Sequence, residues 1–239
     1  MTIKTLHILF ILFLVSGIAS KLNAQGTPNP NWDAKKIKGV RHIPYSSYSG
    51  SPFLNETWFP GKLEFSDGEI ADSLHFRYSS FKDELLYYNQ TIATQIVIDK
   101  TSLNGFSFID NEGKIRYFRR QYYDGFMKGE RFFEVLSHGQ TALLCYRKVN
   151  LNPATPYKDV NGVLRNMIYE TSYQYYFYSP GKGYTPVRTN QSSLMSKFEK
   201  NVQKTIKKVL RKNKLRVTDE DSFIQAWEIL KNEGYPVIF

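Results

Sequence analysis

The segment from Gly61 to about residue 190 alternates between apolar and polar positions with the period of two that is typical of β-strands. Leu74, Phe76 and Tyr78, for example, alternate with the polar residues His75 and Arg77. Runs of this kind recur at nine places, which are 62–65, 74–78, 84–88, 92–98, 105–109, 114–119, 131–136, 141–149 and 170–178. The pattern predicts an antiparallel meander of about nine strands, folded as a curled sheet, a barrel or a sandwich.

Short turn signals separate these runs, and the sequence Asp-Asn-Glu-Gly at 110–113 is a favourable hairpin connection. A parallel sheet needs crossover helices between strands, and the connections leave no room for them. The longest irregular stretch, 150–167, contains two prolines and an Asn-Gly pair and is predicted to be a loop. The sequence Pro-Gly-Lys-Gly at 180–183 predicts a turn before the helical region. We therefore expect one antiparallel β domain over residues 61–190.

The pattern changes to a helical period near Ser192. Apolar residues now recur every three or four positions, at Leu194, Phe198, Val202, Ile206 and Leu210. A second apolar stripe, preceded by a helix N-terminal signal at 218–221 and ended by Gly234 and Pro236, comprises Phe223, Ile224, Trp227 and Leu230. Residues 191–239 are therefore predicted to form a helical pair and a tail, which makes the fold class mainly β with a C-terminal α region.

The N-terminal 25 residues have the pattern of a secretory signal peptide. Lys4 precedes an apolar run from Leu6 to Ala19, which is shorter than the roughly 20 residues that span a bilayer as a helix. We predict a signal peptide over residues 1–24 with cleavage between Ala24 and Gln25, the alternatives being cleavage at Ser20 or an uncleaved anchor. The expected location is periplasmic or outer-membrane associated, with no transmembrane helix in the mature chain. Residues 25–60, with five prolines, are predicted to be an extended lead-in.

Composition excludes several classes of protein and of site. Of the 239 residues, 41% are hydrophobic and 23% are charged, as in globular proteins and unlike disordered chains. The single cysteine, Cys145, excludes an internal disulfide and a cysteine-based zinc site, and it is expected to be a small buried apolar residue. No histidine pair has metal-ligand spacing, so no metal or other cofactor is expected.

Catalytic motifs are not evident in the sequence. There is no G-x-S-x-G nucleophile motif, and 180–183 lacks the leading glycine and the spacing of a P-loop. Asp83 and Glu84 come nearest to a candidate pair of catalytic carboxylates, but they lie at a predicted hairpin end. A non-enzymatic protein is expected, with a hydrolase that uses an unrecognised carboxylate site as an alternative.

Charge is concentrated near the C-terminus. Residues 197–216 contain nine Lys or Arg and one acid, whereas 217–239 contain five acids and one Lys. Such a basic amphipathic helix suits an anionic membrane surface or an acidic envelope protein, and the candidate contacts are Lys204, Lys207, Lys208 and Arg211. The alternative is that these side chains only solvate the outer face of the helix. Nucleic acid is not expected as a partner, because the chain is predicted to be exported and carries no recognised nucleic-acid module.

Aromatic residues are dense in the last predicted strand. Tyr173, Tyr175 and Phe177 share one face by the two-residue period, and Tyr176 and Tyr178 share the other. The first three are candidates for a partner-binding face. Packing in the core is the alternative, because aromatic residues favour strands for packing reasons alone.

Several short motifs resemble a family of uncharacterised secreted β-rich proteins of Bacteroidota. They include Gly50–Asn55, Gly61–Gly68, Phe132–Leu136 and the Lys-rich segment 206–215. The resemblance implies a location in the envelope or at the surface of a diderm bacterium, and it implies no known activity. The Ala24-Gln25 junction resembles the usual cleavage site of such proteins, and Asp72-Ser73-Leu74 resembles the O-glycosylation signal of that phylum, which makes Ser73 a candidate modification site.

The expected function is that of an exported, non-enzymatic cell-envelope protein, a partner-binding accessory subunit of an outer-membrane assembly. A lipocalin-like carrier, whose curled sheet would hold a small apolar ligand, is the alternative.

Overall fold

The computed structural model describes residues 34–90, 92–126 and 128–239. The predicted signal peptide and its cleavage site at Ala24-Gln25 lie outside these residues. One sheet contains eleven strands in the order β1-β5-β4-β3-β2-β6-β7-β8-β9-β10-β11, and every neighbouring pair is antiparallel. The strands are β1 Gly39–Arg41, β2 Phe59–Phe65, β3 Ile70–Ser79, β4 Glu84–Asn89, β5 Thr94–Ile98, β6 Leu103–Ile109, β7 Ile115–Tyr123, β8 Gly129–Ser137, β9 Ala142–Lys158, β10 Leu164–Ser179 and β11 Gly183–Val187.

Three helices follow the sheet, and we number them α1 Gln191–Met195, α2 Lys200–Lys212 and α3 Glu220–Asn232. The predicted fold class, mainly β with C-terminal helices, is confirmed, and the sheet is open rather than closed. The nine predicted runs correspond to β2–β10. The two further strands are the sheet edges: β1 lies in the predicted lead-in, and β11 contains Pro186, which an edge strand tolerates because its outer N–H groups need no partner.

The sheet curls because the link from β5 to β6 is short. Three strands separate β5 from β6, so four steps of about 4.8 Å would place them about 19 Å apart in a flat sheet. Residues 99–102 connect Ile98 to Leu103, and a chain of five residues spans at most about 17 Å even when fully extended. The link can therefore join the two strands only if the sheet bends. The curled part is filled by an aromatic core in which the rings of Phe106 and Phe118 stack with centroids 4.6 Å apart, and Phe132 packs edge-on at 5.1 Å.

The turn between β3 and β4 contacts both β8 and β9, which stop pairing with each other beyond Glu134 and Cys145. The N–H of Val149 on β9 donates to the carbonyl of Ser80, and the N–H of Phe132 on β8 donates to the carboxylate of Asp83. The Asp83 carboxylate thus replaces the missing strand partner. Burial raises the pKa of Asp83, although Lys100 lies 2.6 Å away.

The predicted loop over 150–167 is wrong, because these residues form the outer half of the β9–β10 hairpin. The two strands pair from Tyr178 and Ala142 out to Leu164 and Lys158. Asp159 closes the turn by accepting hydrogen bonds from the N–H groups of Asn161 and Val163.

Part of the lead-in holds this hairpin in place. We call residues 42–54 the strap. Ser49 bridges to Ile168, and the Tyr169 N–H donates to the Ser49 carbonyl at 2.8 Å. At its other end the strap pairs with β3, where the Leu54 N–H donates to the Tyr78 carbonyl. Residues 42–54 of the predicted lead-in therefore lie on the folded part of the chain.

The helices bury their apolar stripes against β9–β11. Asp219 caps α3 in a capping box with Ser222, at the predicted N-terminal signal. The ring of Phe177 lies 4.6 Å from that of Trp227 on α3. Strands and helices share this second core, whose buried members are Leu143, Phe177, Val187, Leu194, Met195, Phe198, Ile206, Leu210, Val217, Phe223, Ala226, Trp227, Leu230 and Val237. Among the described helices, none is long and apolar enough to cross a membrane.

Candidate functional site

The outer side of α2 carries a row of cations that we call the basic stripe. Its members are all exposed, and each lies three or four residues from another member: Lys200, Lys204, Lys207, Lys208 and Arg211. The opposite side of the helix is buried in the second core through Ile206 and Leu210. The predicted amphipathic helix therefore exists, and the structure assigns its apolar side to the protein interior.

No acidic side chain of the described residues forms an ion pair with the stripe. Within the part of the chain that the structure describes, none of the nine Lys or Arg residues from Lys197 to Arg216 forms an ion pair. The acids of α3 have other partners, since Glu220 pairs with Arg147 and Glu228 with Lys231. The basic and acidic helices are thus adjacent in sequence without pairing through these charges.

The stripe is unfavourable for the helix itself. Lys204 and Lys208 are four residues apart, as are Lys207 and Arg211, and each like-charge pair of this spacing costs roughly 0.2–0.5 kcal/mol. Arg211 and Lys212 in the last turn interact favourably with the helix dipole, but Lys200 in the first turn does not. The concentration of positive charge on α2 therefore does not serve to stabilise the helix.

The three aromatic candidates on β10 lie at different depths. Phe177 is fully buried under α3, so its side chain does not reach the surface. The hydroxyl of Tyr175 donates to Glu220 Oε2 at 2.6 Å. Tyr173 is 37% exposed and lies 4.7 Å from the Arg147 guanidinium. Of the three, Tyr173 is the most exposed, Tyr175 is half-buried and Phe177 is inaccessible.

An ion-pair network that sequence reasoning missed joins α3 to the sheet. Arg147 on β9 donates to both oxygens of Glu220, at 2.5 and 2.7 Å, and also to Glu134, which Arg116 binds as well. Burial opposes the ionisation of Glu220, but the Arg147 guanidinium outweighs it and holds the pKa of Glu220 below its usual range. Because arginine side chains already bind the carboxylates of Glu134 and Glu220, the network favours a structural role over a catalytic one.

The other sequence candidates are placed as follows. Cys145 is buried in β9, and burial raises the pKa of its thiol. Asp83 is buried in the β3–β4 turn, while Glu84 begins β4. Ser73 is exposed on β3 at a φ of 61°, and its O-glycosylation stays a prediction. Among the described residues, no group of three or more His, Cys, Asp or Glu side chains is arranged to hold a metal ion.

Comparison with protein-family models, with curated proteins and with solved structures finds no match to this chain. We therefore argue function from the geometry of the site alone.

Proposed function

We propose that this chain is an exported, non-enzymatic cell-envelope protein that binds an acidic partner through the basic stripe of α2, as an accessory subunit of an assembly at the outer membrane. The observation that carries the proposal is the unneutralised stripe on a helix whose other side is buried. Export itself rests on the signal-peptide pattern of residues 1–24.

The burial of Ile206 and Leu210 determines how the stripe can bind. An interfacial membrane helix inserts its apolar side among lipids, and this helix has already used that side in the core. Binding is then ionic and occurs between preformed surfaces. From Lys200 to Arg211 the helix rises about 16 Å, a length that fits within a protein interface of standard size.

The carrier alternative is less well supported by the geometry. A lipocalin-like carrier holds its ligand inside the curled sheet. Here that space is occupied by packed aromatic rings, with Phe106, Phe118 and Phe132 each at most 1% exposed.

A charge-reversal experiment tests the proposal. The stripe variant combines Lys204→Glu, Lys207→Glu, Lys208→Glu and Arg211→Glu. A control variant with the same net charge reverses four exposed basic residues outside the helices: Lys38, Arg119, Lys128 and Lys158. The readout is retention on gently solubilised envelopes of a diderm bacterium, followed by native mass spectrometry of the captured complex.

We expect the stripe variant to lose about tenfold or more in affinity at about 0.15 M salt, because four ionic contacts become repulsive. The control variant should bind like the wild type, and wild-type binding should weaken as salt is raised. Equal retention of the two variants would overturn the proposal. Equal binding of the wild type to protein-free anionic vesicles would replace the protein partner with a lipid surface.

A further inference from the structure

A pocket of about 470 Å³, which we call the strap pocket, lies between the strap and the β3–β4 turn. Its volume is within the range of ligand sites, which is roughly 300–1,000 Å³. One wall comes from β1 and the strap, and the others come from the β3–β4 turn, β5 and the β9–β10 hairpin. The lining residues used below are His42, Tyr45, Tyr48, Phe81, Glu84 and Tyr169.

Five rings in consecutive contact line this pocket. The ring centroids are 4.9 Å apart for His42 and Tyr45, 5.8 Å for Tyr45 and Phe81, 5.3 Å for Phe81 and Tyr169, and 5.8 Å for Tyr169 and Tyr48. Because the rings come from three parts of the chain, no local sequence pattern indicated them. Together the five rings form a continuous aromatic surface along the pocket.

His42 is the polar group that points to a ligand. The residue is only 8% exposed, it lines the pocket, and within the described residues its imidazole makes no hydrogen bond. Its two ring nitrogens are therefore available to hydrogen-bond a molecule in the pocket.

The surroundings of His42 lower its pKa and so favour the neutral ring. Burial lowers the pKa of His42, the Arg77 guanidinium lowers it further, and the Glu84 carboxylate opposes them. Arg41 and Lys82 also line the pocket. A neutral imidazole offers one donor and one acceptor, a combination that suits a hydroxyl group.

Glu84 provides a second polar contact point. Its Oε2 lies 3.2 Å from the Tyr45 hydroxyl, which is also 2.9 Å from Ser79 Oγ. A carboxylate has about four acceptor sites, so Glu84 can accept further hydrogen bonds from a molecule in the pocket. Tyr45 thereby holds the carboxylate at the edge of the aromatic surface.

We propose that the strap pocket binds a neutral saccharide, with a pyranose ring lying on the aromatic surface and its hydroxyls bonded to His42 and Glu84. A pyranose has an apolar C–H face and a polar rim, which match these two features. An apolar ligand would offer no hydrogen-bond partner to His42 or Glu84, so it matches these two groups less well. Charges of both signs line the pocket, Arg41 and Lys82 beside Glu84, so acidic ligands are included in the test below.

Binding of the purified protein to an array of neutral and acidic oligosaccharides tests this proposal, with titration calorimetry on the best ligand. We expect a neutral hexopyranose oligosaccharide to bind. Tyr48→Ala and Glu84→Gln should each weaken binding about tenfold or more, while Tyr122→Ala, at a tyrosine that is 57% exposed elsewhere on the sheet, should leave it unchanged.

Three results would overturn the assignment. They are binding to no glycan on the array, binding confined to acidic glycans, and affinity that is equal in Tyr48→Ala and the wild type. Circular dichroism confirms that each variant is folded. The four-residue stripe variant should keep full saccharide affinity, because α2 contributes nothing to the pocket, so failure of either proposal leaves the other standing.

Discussion

Lys214, which follows α2, has a backbone φ of 53°, in the left-handed region that favours glycine. The N–H of the next residue, Leu215, donates to the Leu210 carbonyl and closes the helix. Gly234 has the equivalent position after α3, at a φ of 80°, where the Tyr235 N–H donates to the Leu230 carbonyl. This conformation costs a residue other than glycine roughly 1–2 kcal/mol.

We predict that Lys214→Gly raises the free energy of unfolding by about 0.5–1 kcal/mol, because it relieves backbone strain. Urea unfolding followed by circular dichroism measures the change. Gly234→Ala is the reciprocal control and should lower stability by a similar amount. A loss of stability in Lys214→Gly would mean that the lysine side chain contributes more than the strain costs.

Glu220 predicts a pH dependence of stability. Its pKa is lower in the folded protein than its ordinary value of 4.5, so ionised Glu220 stabilises the fold above that value. The contribution is lost as the pH falls through the lowered pKa. Glu220→Gln should therefore cost about 2 kcal/mol near neutral pH, since it leaves buried Arg147 with Glu134 alone, and its stability should approach that of the wild type in acid.

Urea unfolding of both proteins at about pH 7 and about pH 3 checks this prediction. The matched control is Asp221→Asn in the same helical turn. The Asp221 side chain is 80% exposed, and its ion pair with Lys114 is long, at 3.8 Å. The control should change stability little. A stability difference between Glu220→Gln and the wild type that is the same at both pH values would contradict the assigned role of the carboxylate.

At the scale of single residues, the sequence predicted the basic stripe and missed the strap pocket. The positions of Lys204 and Lys208 follow from the period of the apolar residues on the same helix. His42 and Tyr169 meet only because the strap crosses the hairpin, and no short-range pattern relates them. Phe177 and Tyr175 were correctly assigned to one face of a strand, but the strand pattern alone did not show that α3 covers that face.

At the scale of elements, Gly50 determines whether the strap can lie against the hairpin. It has a φ of 77°, and a Cβ at this position would overlap the Tyr169 carbonyl oxygen. We predict that Gly50→Ala detaches the strap. In the wild type, the Tyr169 N–H is hydrogen-bonded to the Ser49 carbonyl. In the variant, this amide should exchange its hydrogen rapidly, and the strap pocket should be lost.

Hydrogen exchange by NMR checks this prediction, with protection of Phe106 and Phe118 amides as the internal reference. Gly68→Ala is the matched control, because Gly68 also has a positive φ, at 87°, but a Cβ there meets nothing within 4 Å. The control has the backbone strain without the clash. Unchanged exchange at Tyr169 in Gly50→Ala would show that the strap is not held by this close approach.

Elements with strong periodicity were predicted well, and those with prolines were not. α2 and α3 follow their apolar stripes and the capping signal at Asp219. The outer half of β9 was predicted as a loop because of Pro153 and Pro156, which lack N–H groups. These prolines are tolerated because β9 pairs with β8 only over Leu143–Cys145, so its outer half has a strand partner only on the β10 side.

At the scale of the whole molecule, the sheet packs against more than one apolar core, and the second core needs the helices. Leu143, Phe177 and Val187 on the sheet are buried together with side chains of α1, α2 and α3. We predict that a chain ending at residue 190 does not form a stable monomer, because it exposes this face to water. Gel filtration and binding of a hydrophobic dye measure the effect.

A chain ending at Val237 is the control, since Ile238 and Phe239 are exposed while Val237 belongs to the core. It should fold like the full chain. A shortened chain of 190 residues that is monomeric and unfolds cooperatively would establish the β domain of residues 61–190 as independent. In that case the predicted domain boundary would be correct.

The hydrogen bonds between the strap and the hairpin also fix an order of events during biosynthesis. The Tyr169 hydroxyl bonds to the carbonyl of Ser46, 123 positions earlier. At about 5–20 residues per second, a ribosome needs on the order of ten seconds to make the intervening chain. The strap is therefore among the first described segments to be made, but its contact with the hairpin waits until Tyr169 has been added. A ligand of the strap pocket would consequently not recognise chains that end before the hairpin.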